Sequence, residues 1–491
     1  MRTALRMWII SNIAMRTIKR FCMMLWVLTA CGQAAPASRP NVLLILTEDQ
    51  GPHFRYAGTP GILTPNMDAL AASGVYFQNA FVAYPVCSAS KAAILTGRCS
   101  HVNGLQNNTE NYHKPASQLT PAEVARSTYR KLRVRDGIPT LIEKLHEAGY
   151  YQGVTHKLHV APVEKFPYDE FLVQPREKSA TDFIKNAGKA GKPWFLLYNI
   201  SDSHRKYPDS DKTPIRVKPS EVKLPAFLPD TPVVRKDWAE YLAAIEETDV
   251  YVGQALAALK ASGQEEETIV IFLGDHGPSF NRGKMNLNDL GLHIPLVVRV
   301  PGMGHGVRAK SLVSELDITP TILDLIGLPP LPEAEGLSLR PALGGGDDVK
   351  IHDCIFAEIS HAPMTPDGGM QERSVFDGRF HLIAREGENK PRQVNEDEKF
   401  WPKWGNRTYA ETVRVKDKFP EAYRFLTWMD PQSLDGHPPR FEFYHTATDP
   451  DEMKELSGDP VHRDDFQRLY LALRRWSKAT NDQAMKYDKA P

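Results

Sequence analysis

The 491-residue sequence has few cysteines, no excess of charge of either sign and no long apolar run. Its 5 cysteines stand at positions 22, 31, 87, 99 and 354, without the paired spacing of a disulfide framework or a zinc site. The 60 basic and 60 acidic residues cancel, whereas a nucleic-acid-binding protein usually carries a basic excess or a basic face. We therefore expect no nucleic-acid partner, although a neutral chain can still form a positive pocket for a small anion.

Several basic residues precede the apolar segment Phe21–Leu28, which is too short to span a membrane as a permanent helix. This pattern predicts an export signal over residues 1–38. The sequence Leu28–Cys31 resembles a bacterial lipobox, in which Cys31 would carry a lipid anchor; ordinary signal cleavage near residues 35–37 is the alternative. In either case we expect an exported bacterial protein, either periplasmic or anchored to the membrane as a lipoprotein.

Short apolar runs alternate with amphipathic helical patterns from Asn41 onward, as is typical of a parallel sheet wrapped by helices. The apolar runs are Val42–Leu46, Gly153–Thr155, Trp194–Ile200, Thr268–Leu273 and Pro295–Val300, and the helical patterns are Met67–Ala72, Ile138–Ala148, Lys236–Leu259 and Ile318–Ile326. These patterns predict an α/β fold with a mostly parallel central sheet flanked by helices. The length of the chain favours two domains.

A glycine-rich break at Gly344–Gly346 suggests the boundary between these domains. Beyond it, Ser374–Ile383 predicts a hairpin with an Asp-Gly turn, Phe441–His445 a strand and Asp464–Ser477 a closing helix. We therefore predict a first domain over residues 39–345 and a smaller α+β domain over residues 346–491.

Polar side chains follow four of the predicted strands. They are Glu48 and Asp49 after the first, Lys157 and His159 after the second, Asp202, His204 and Arg205 after the third, and Asp275 and His276 after the fourth. Ligands of open parallel sheets bind outside the carboxyl ends of the strands, so we expect these groups to meet at one edge. A salt bridge or a cap would explain any one group alone, but four sets together indicate a binding site. The segment Asn107–Arg135, which shows no helix-compatible start, is expected at its mouth.

Glu48, Asp49, Asp275 and His276 form the predicted metal site. Three carboxylates supply the hard oxygen ligands that suit Ca²⁺ or Mg²⁺, and one imidazole completes the set. Asp-His-Gly is also a reasonable turn sequence after a strand. Because the Glu48-Asp49 pair gives this motif a matching context, we favour one divalent cation, Ca²⁺ before Mg²⁺.

Cys87 precedes a predicted helix over Ser88–Leu95 and would therefore lie at the helix N-terminus. The free amides and the helix dipole at such a position favour an anion. A buried structural cysteine is the commonest fate of a lone one, and a plain thiolate nucleophile is another alternative.

The segment Pro85–Arg98 resembles the sulfatase signature, which is Cys-x-Pro-Ser-Arg followed by a helix that ends in Leu-Thr-Gly-Arg. Further stretches resemble the remaining motifs of this family in the same order: Asn41–Asp49 its metal-binding start, Lys157–His159 its Lys-x-His, Asp202–His204 its Asp-Pro-His, Gly274–Gly277 its second metal motif, and Gly283-Lys284 the lysine that follows. The resemblance runs from about Asn41 to the C-terminal helix and implies an alkaline-phosphatase-like fold.

The resemblance also implies a mechanism. In this family a maturation enzyme oxidises the signature cysteine, here Cys87, to formylglycine, whose aldehyde hydrates to a gem-diol. One hydroxyl attacks sulfur beside the metal, the leaving group departs with a proton, and the second hydroxyl then expels sulfate. By the same resemblance five further residues surround the anion or move protons: Lys91, Lys157 and Lys284 neutralise charge, His204 is the general acid and His159 assists the diol.

Four positions depart from the family pattern. Glu48 stands in place of an aspartate, His276 in place of the common asparagine, Ala89 in place of a proline and Lys91 in place of an arginine. The last departure matters most, because arginine is a planar fork that can bind bidentately whereas lysine is a point charge. It bears on both the maturation of Cys87 and the holding of its diol.

Within the family, Asp202–Arg205, Gly283–Leu287 and Tyr444–Leu456 are most similar to heparan N-sulfatases. This implies removal of sulfate from N-sulfoglucosamine in heparin-like glycans, with Asp202 and Arg205 contacting the sugar. Three alternatives stay open: an O-sulfatase acting on another polysaccharide, a phosphatase or phosphonate hydrolase of the same superfamily, and a non-catalytic glycan-binding relative. A phosphatase of the two-metal type would need more histidine ligands, and the pair of Lys157 and Lys284 points to sulfate instead.

Overall fold

A computed structural model of the protein describes residues 39–173, 176–346, 349–361, 364, 369–387 and 406–485. The predicted export signal over residues 1–38, including Cys31, lies outside the described residues. The described residues from Pro40 onward belong to one structural unit. Among them, no helix has both the length and the apolar character needed to cross a membrane.

Eight of the described strands form the central sheet. They are β1 (Asn41–Thr47), β2 (Val75–Phe81), β3 (Tyr151–Thr155), β4 (Glu170–Leu172), β5 (Trp194–Ile200), β6 (Thr268–Gly274), β7 (Leu296–Arg299) and β8 (Val307–Ser314). Their order is β4-β3-β5-β1-β6-β7-β2-β8, and of these eight only β7 runs antiparallel to its neighbours. The prediction of a mostly parallel α/β sheet is confirmed.

Helices cover both faces of this sheet. They are α1 (Pro65–Ala72), α2 (Cys87–Thr96), α3 (Ser100–Asn103), α4 (Pro121–Ala125), α5 (Ser127–Lys131), α6 (Leu141–Glu147), α7 (Arg176–Ala190), α8 (Pro232–Ala261), α9 (Asp289–Leu292) and α10 (Ile318–Leu325). Alternate residues of β1 enter different cores: Val42 and Leu44 pack with α2, α6 and α10, whereas Leu43 and Ile45 pack with α1, α7 and α8. Burial on both faces explains why the central strands are continuous apolar runs.

The prediction that Asn107–Arg135 has no helix-compatible start is wrong. Thr120 begins α4 with a capping box, in which its hydroxyl accepts from the backbone N–H of Glu123 while the Glu123 carboxylate accepts from the backbone N–H of Thr120. This reciprocal pairing satisfies two amides that a helix start leaves unpaired. Pro121 at the first helical position adds a second start signal.

A second, four-stranded sheet follows residue 346. Its strands are β9 (Ile355–Ser360), β10 (Gln371–Phe376), β11 (Phe380–Glu386) and β12 (Phe441–His445). All are antiparallel, in the order β12-β11-β10-β9. The described helices beyond residue 346 are α11 (Arg407–Arg414), α12 (Pro420–Met429), α13 (Pro431–Leu434) and α14 (Arg463–Ala479). The predicted hairpin is confirmed: Phe376 pairs with His381, and Gly378 has a positive φ of 87° at the turn. The division of the chain at residue 345 stays a prediction.

The ends of three central strands are level. Thr47 at the end of β1 pairs with both Ile200 of β5 and Gly274 of β6. The pattern continues one residue further, since Glu48 N donates to Ile200 O at 3.0 Å and Asp275 N donates to Thr47 O at 2.8 Å. The residues that follow these strands therefore leave the sheet side by side.

We predict that Gly277→Ala destabilises the protein, because there is no room for a side chain just after β6. A Cβ at Gly277 would lie 1.7 Å from the carbonyl oxygen of Leu290. The backbone would have to shift, so the free energy of unfolding should fall by about 3 kcal/mol in urea titrations. Gly137→Ala is the control, since nothing lies within 4 Å of a Cβ there. Equal stability of the two variants would contradict this packing.

Candidate active site

Three fully buried carboxylates meet at the carboxyl edge of the central sheet. Glu48 and Asp49 follow β1, and Asp275 follows β6. Asp49 has a positive φ of 51°, and its backbone N–H donates to Asp275 Oδ1 at 2.9 Å. The two strand ends are therefore joined directly through a carboxylate.

Two lysine ammonium groups pair with Glu48. Lys91 Nζ lies 2.5 Å from Glu48 Oε1 and 2.9 Å from Asp275 Oδ2, and Lys157 Nζ pairs with Glu48 Oε2. Burial by itself would raise the pKa of Glu48, but the charges of Lys157 and Lys91 hold that pKa well below its usual range. Burial likewise opposes the charged form of Lys91, whose pKa is nevertheless raised by Asp275 and Glu48. Glu48 is thus a carboxylate with an ammonium group on each oxygen.

Lys284 supplies the third ammonium group. Its Nζ lies 3.0 and 3.1 Å from the two carboxylate oxygens of Asp49 and 3.0 Å from His204 Nε2. Although burial raises the pKa of Asp49, His204 and Lys284 lower it to about 2. His204 Nδ1 lies 2.6 Å from the carbonyl oxygen of Arg205, which can only accept. Nδ1 of His204 therefore carries a proton, and Nε2 faces the cluster.

Cys87 is the first residue of α2 and is buried at the centre of the site. Its Sγ lies 3.3 Å from His276 Nε2. His276 Nδ1 donates to Gly277 O at 2.9 Å, which directs Nε2 toward the carboxylates. Burial by itself lowers the pKa of His276, but the charges of Asp275 and Cys87 outweigh this effect and raise the pKa to about 9.

The four predicted metal ligands fall into two groups of donor atoms that share Cys87: Glu48 and Asp49 with His204, and Asp275 with His276. His276 Nε2 lies 3.6 Å from Asp49 Oδ1 and 3.6 Å from Asp275 Oδ1. Ligands about 2.3–2.6 Å from one cation have similar spacings among themselves. Cys87 Sγ lies within 4.8 Å of donor atoms of Asp275 and His276, so a cation held there would adjoin the side chain of residue 87.

His159 and Lys157 complete the wall of the site. His159 is buried with a positive φ of 50°, and its backbone N–H donates to Asn111 Oδ1 at 3.3 Å. Burial first, and then the charges of Lys157 and Lys91, hold the pKa of His159 well below its usual range, so this imidazole is neutral. The side chains of Lys157 and His204 are the accessible ones, at 16% and 29% exposure, and mark the mouth of the site.

Arg205 is bonded to residues outside this cluster. The Arg205 guanidinium is buried and donates to both carboxylate oxygens of Asp237, at 2.8 and 3.1 Å, and to Ser279 O at 3.0 Å. These contacts indicate a structural role for Arg205, and substrate binding by this residue stays a prediction. Asp202 is half-buried near Glu247, whose pKa is raised by burial and by the charge of Asp202.

Part of the predicted mouth segment supports the start of α2. Ser88 N donates to Asn108 Oδ1 at 3.2 Å, and Thr109 N donates to Ser88 Oγ at 3.1 Å. Asn111 holds His159 from the same segment. No local sequence pattern marks these residues, because each one acts through a contact with a distant part of the chain.

Glu452 joins the second sheet to the loop that carries Lys284. Its Oε2 accepts from Asn288 Nδ2 at 2.8 Å, its Oε1 accepts from His381 Nδ1 of β11 at 2.5 Å, and its carbonyl oxygen accepts from Arg282 Nη1 at 2.8 Å. Glu452 and its three partners are all buried. The loop between β6 and α9 is thus held from its far side by the second sheet.

We predict that Glu452→Ala loosens this loop. Removal of the carboxylate leaves the buried Arg282 and His381 without its negative charge, a type of change that costs about 3–5 kcal/mol. Hydrogen exchange should accelerate over residues 277–289, and the free energy of unfolding should fall. Exposed Glu266→Ala serves as the control. Unchanged exchange over residues 277–289 would contradict the role given to Glu452.

The mostly parallel sheet has an alkaline-phosphatase-like fold, and its edge of carboxylates, lysines and imidazoles around a helix-terminal Cys87 suits an ester hydrolase with a candidate metal-binding cluster. Residues 40–328, more than half of the chain, match the Sulfatase family model, and the chain belongs to this family. It is therefore a sulfuric ester hydrolase, as the sequence motifs predict.

Similar proteins cover most of the chain. The human N-sulphoglucosamine sulphohydrolase is 29% identical, over 94% of this chain and 93% of that protein. An ulvan-active sulfatase of Formosa agariphila is 26% identical, over 91% of this chain and 76% of that protein. A protein solved in complex with its substrate D-glucosamine-2-N,6-O-disulfate has the same fold, with a TM-score of 0.64 and 16% identity over 92% of this chain and all of that one.

Proposed function

We propose that this enzyme removes sulfate from a sulfated carbohydrate and that N-sulfoglucosamine of heparin-like glycans is its substrate. The observation that carries the proposal is the position of Cys87. Its Sγ lies at a helix N-terminus, 3.3 Å from an imidazole of the carboxylate cluster. Three ammonium groups surround the same cluster. A sulfuryl group placed there meets positive charge on several sides, which suits a transition state that spreads negative charge over oxygen.

The lysines and His204 have separable tasks in this proposal. Lys157 and Lys284 bind sulfate oxygens, and Lys91 holds the Glu48 and Asp275 carboxylates beside residue 87. His204, when both ring nitrogens are protonated, gives the Nε2 proton to the leaving group, while its Nδ1–H stays bonded to the backbone carbonyl of Arg205. Its exposure at the mouth of the site suits this role, because the sugar must leave toward solvent.

Formylglycine at position 87 would supply the hydroxyl that attacks sulfur, and a divalent cation held by Glu48, Asp49, Asp275 and His276 would stabilise negative charge on oxygen. Cys87 is 1% exposed in the folded chain. A maturation enzyme therefore has to reach Cys87 before this part of the protein folds.

We predict one divalent cation per chain in purified protein, with Ca²⁺ the expected ion. Asp275→Ala removes one of three buried carboxylate donors and should reduce the metal content to well below stoichiometric. Elemental analysis by mass spectrometry measures this directly. The exposed Asp211→Ala is the control and should keep the metal. Stoichiometric metal in Asp275→Ala would count heavily against this ligand set.

We predict that Cys87→Ala abolishes turnover, because the alanine side chain carries no nucleophile or precursor of one. Cys354→Ala and Cys99→Ala are the matched controls and should retain activity, since neither sulfur lies at the carboxylate cluster. Initial rates of sulfate release, with circular dichroism to verify folding, measure the effect. Full activity in folded Cys87→Ala would remove residue 87 from the mechanism.

The choice of an N-sulfated sugar has two supports. The 29% identical human relative is named for that substrate and aligns over nearly the whole chain. In addition, Asp202 stands two residues before the proposed acid His204 and near the acidic side chain of Glu247. Such carboxylates could pair with the sugar amino group as it becomes cationic on leaving, and charge-assisted bonds of this type are the stronger kind. An O-sulfated polysaccharide is the second candidate, in line with the ulvan-active relative.

We predict a preference for glucosamine N-sulfate over glucosamine 6-sulfate and galactose sulfates. Asp202→Asn should lower kcat/KM for the N-sulfate by about tenfold, which corresponds to the loss of one charge-assisted bond. Hydrolysis of the O-sulfates should change little in this variant and serves as the control. A preference for an O-sulfated galactose, with Asp202→Asn harmless, would point to a different polysaccharide.

A further inference from the structure

Two of the departures from the sulfatase pattern contact each other. Lys91, where the family pattern has arginine, lies 2.5 Å from Glu48, where the pattern has aspartate. Their side chains are 1% and 0% exposed, so neither can move into solvent. The two residues are 43 positions apart in the sequence, and only the fold brings them together.

The lengths of the two side chains compensate. Glutamate places its carboxylate one methylene, about 1.5 Å, further from the backbone than aspartate does. Lysine ends in a compact ammonium group. The guanidinium group of arginine is broader, and its terminal nitrogens lie one bond further from the backbone. A longer acid thus meets a shorter base, and the contact between opposite charges is kept.

The position of Lys91 makes this contact important for the nucleophile. Lys91 follows Cys87 by four residues on α2, so both side chains lie on the same face of the helix. The Lys91 ammonium also bridges to Asp275 Oδ2 at 2.9 Å. It therefore ties the ends of β1 and β6 to the helix that carries residue 87.

A change at either position alone breaks this match. Glu48→Asp would withdraw the carboxylate from Lys91, and from Lys157 on the other oxygen. Lys91→Arg would bring a larger group into the buried space between Glu48 and Asp275. The two changes together would exchange a long acid and short base for a short acid and long base.

We infer that Glu48 and Lys91 form a length-matched positioning pair, so that lysine serves at position 91 only because glutamate stands at position 48. This inference rests on the proposed function for its meaning in catalysis. The match itself concerns the folded protein and can be measured without turnover.

The test is a double-mutant cycle of Glu48→Asp, Lys91→Arg and the combined variant. Three quantities are measured: urea unfolding of the metal-free protein, Ca²⁺ affinity by calorimetry, and kcat/KM for glucosamine N-sulfate. Each single variant should bind Ca²⁺ at least tenfold more weakly and lose at least tenfold in kcat/KM. In the combined variant both quantities should recover to within about threefold of the parent, because the effects of substitutions at contacting residues are not additive.

The matched control combines Glu48→Asp with Lys157→Arg. Lys157 pairs with the other oxygen of Glu48 but is partly exposed, so a longer base there should give no recovery.

If a single variant fails to fold, recovery of folding in the Glu48→Asp/Lys91→Arg protein is the expected result. Losses that add in that protein, or its failure to fold, would overturn the inference. If unfolding and Ca²⁺ binding show recovery while no sulfated sugar is hydrolysed, the pair stands and the proposed function fails.

Discussion

The site depends on the mutual neutralisation of three buried carboxylates and three ammonium groups. Moving such charges out of water is costly, and their attraction offsets that cost only when each has a close partner. Here Glu48, Asp49 and Asp275 each have a lysine within hydrogen-bond distance. With these charges balanced, a divalent cation bound as we propose would add net positive charge at the edge of the sheet. An entering sulfate group would be attracted by that excess.

The fold makes this arrangement rigid from two sides. Level strand ends place Glu48 and Asp275 side by side, because Thr47 pairs with residues of both neighbouring strands. On the far side, Glu452 and the second sheet hold the loop that carries Lys284. A small displacement of a positioning group can cost a large part of the rate, so both supports matter for catalysis.

Much of the fold, and the meeting of most candidate site residues at one edge of the sheet, could be predicted from the sequence, because the central strands are buried on both faces and the polar groups follow them directly. Strand β2, which lies next to the edge strand β8, is not predicted, since Gln78 and Asn79 interrupt its apolar pattern at an irregularity in the register. The surroundings of Arg205 could not be read locally, because its partner Asp237 lies 32 residues away on α8. The contact of Glu48 with Lys91 was beyond sequence reasoning for the same reason.

The central claim is that residue 87 supplies the nucleophile after oxidation of its cysteine. Mass spectrometry of the peptide that contains residue 87, combined with turnover measured on the same preparations, tests this claim most directly. Preparations made with different amounts of maturation enzyme should differ in their fraction of aldehyde at residue 87. Turnover per chain should rise in proportion to that fraction and vanish without it. Full turnover in a preparation that carries only unmodified cysteine at position 87 would contradict the account.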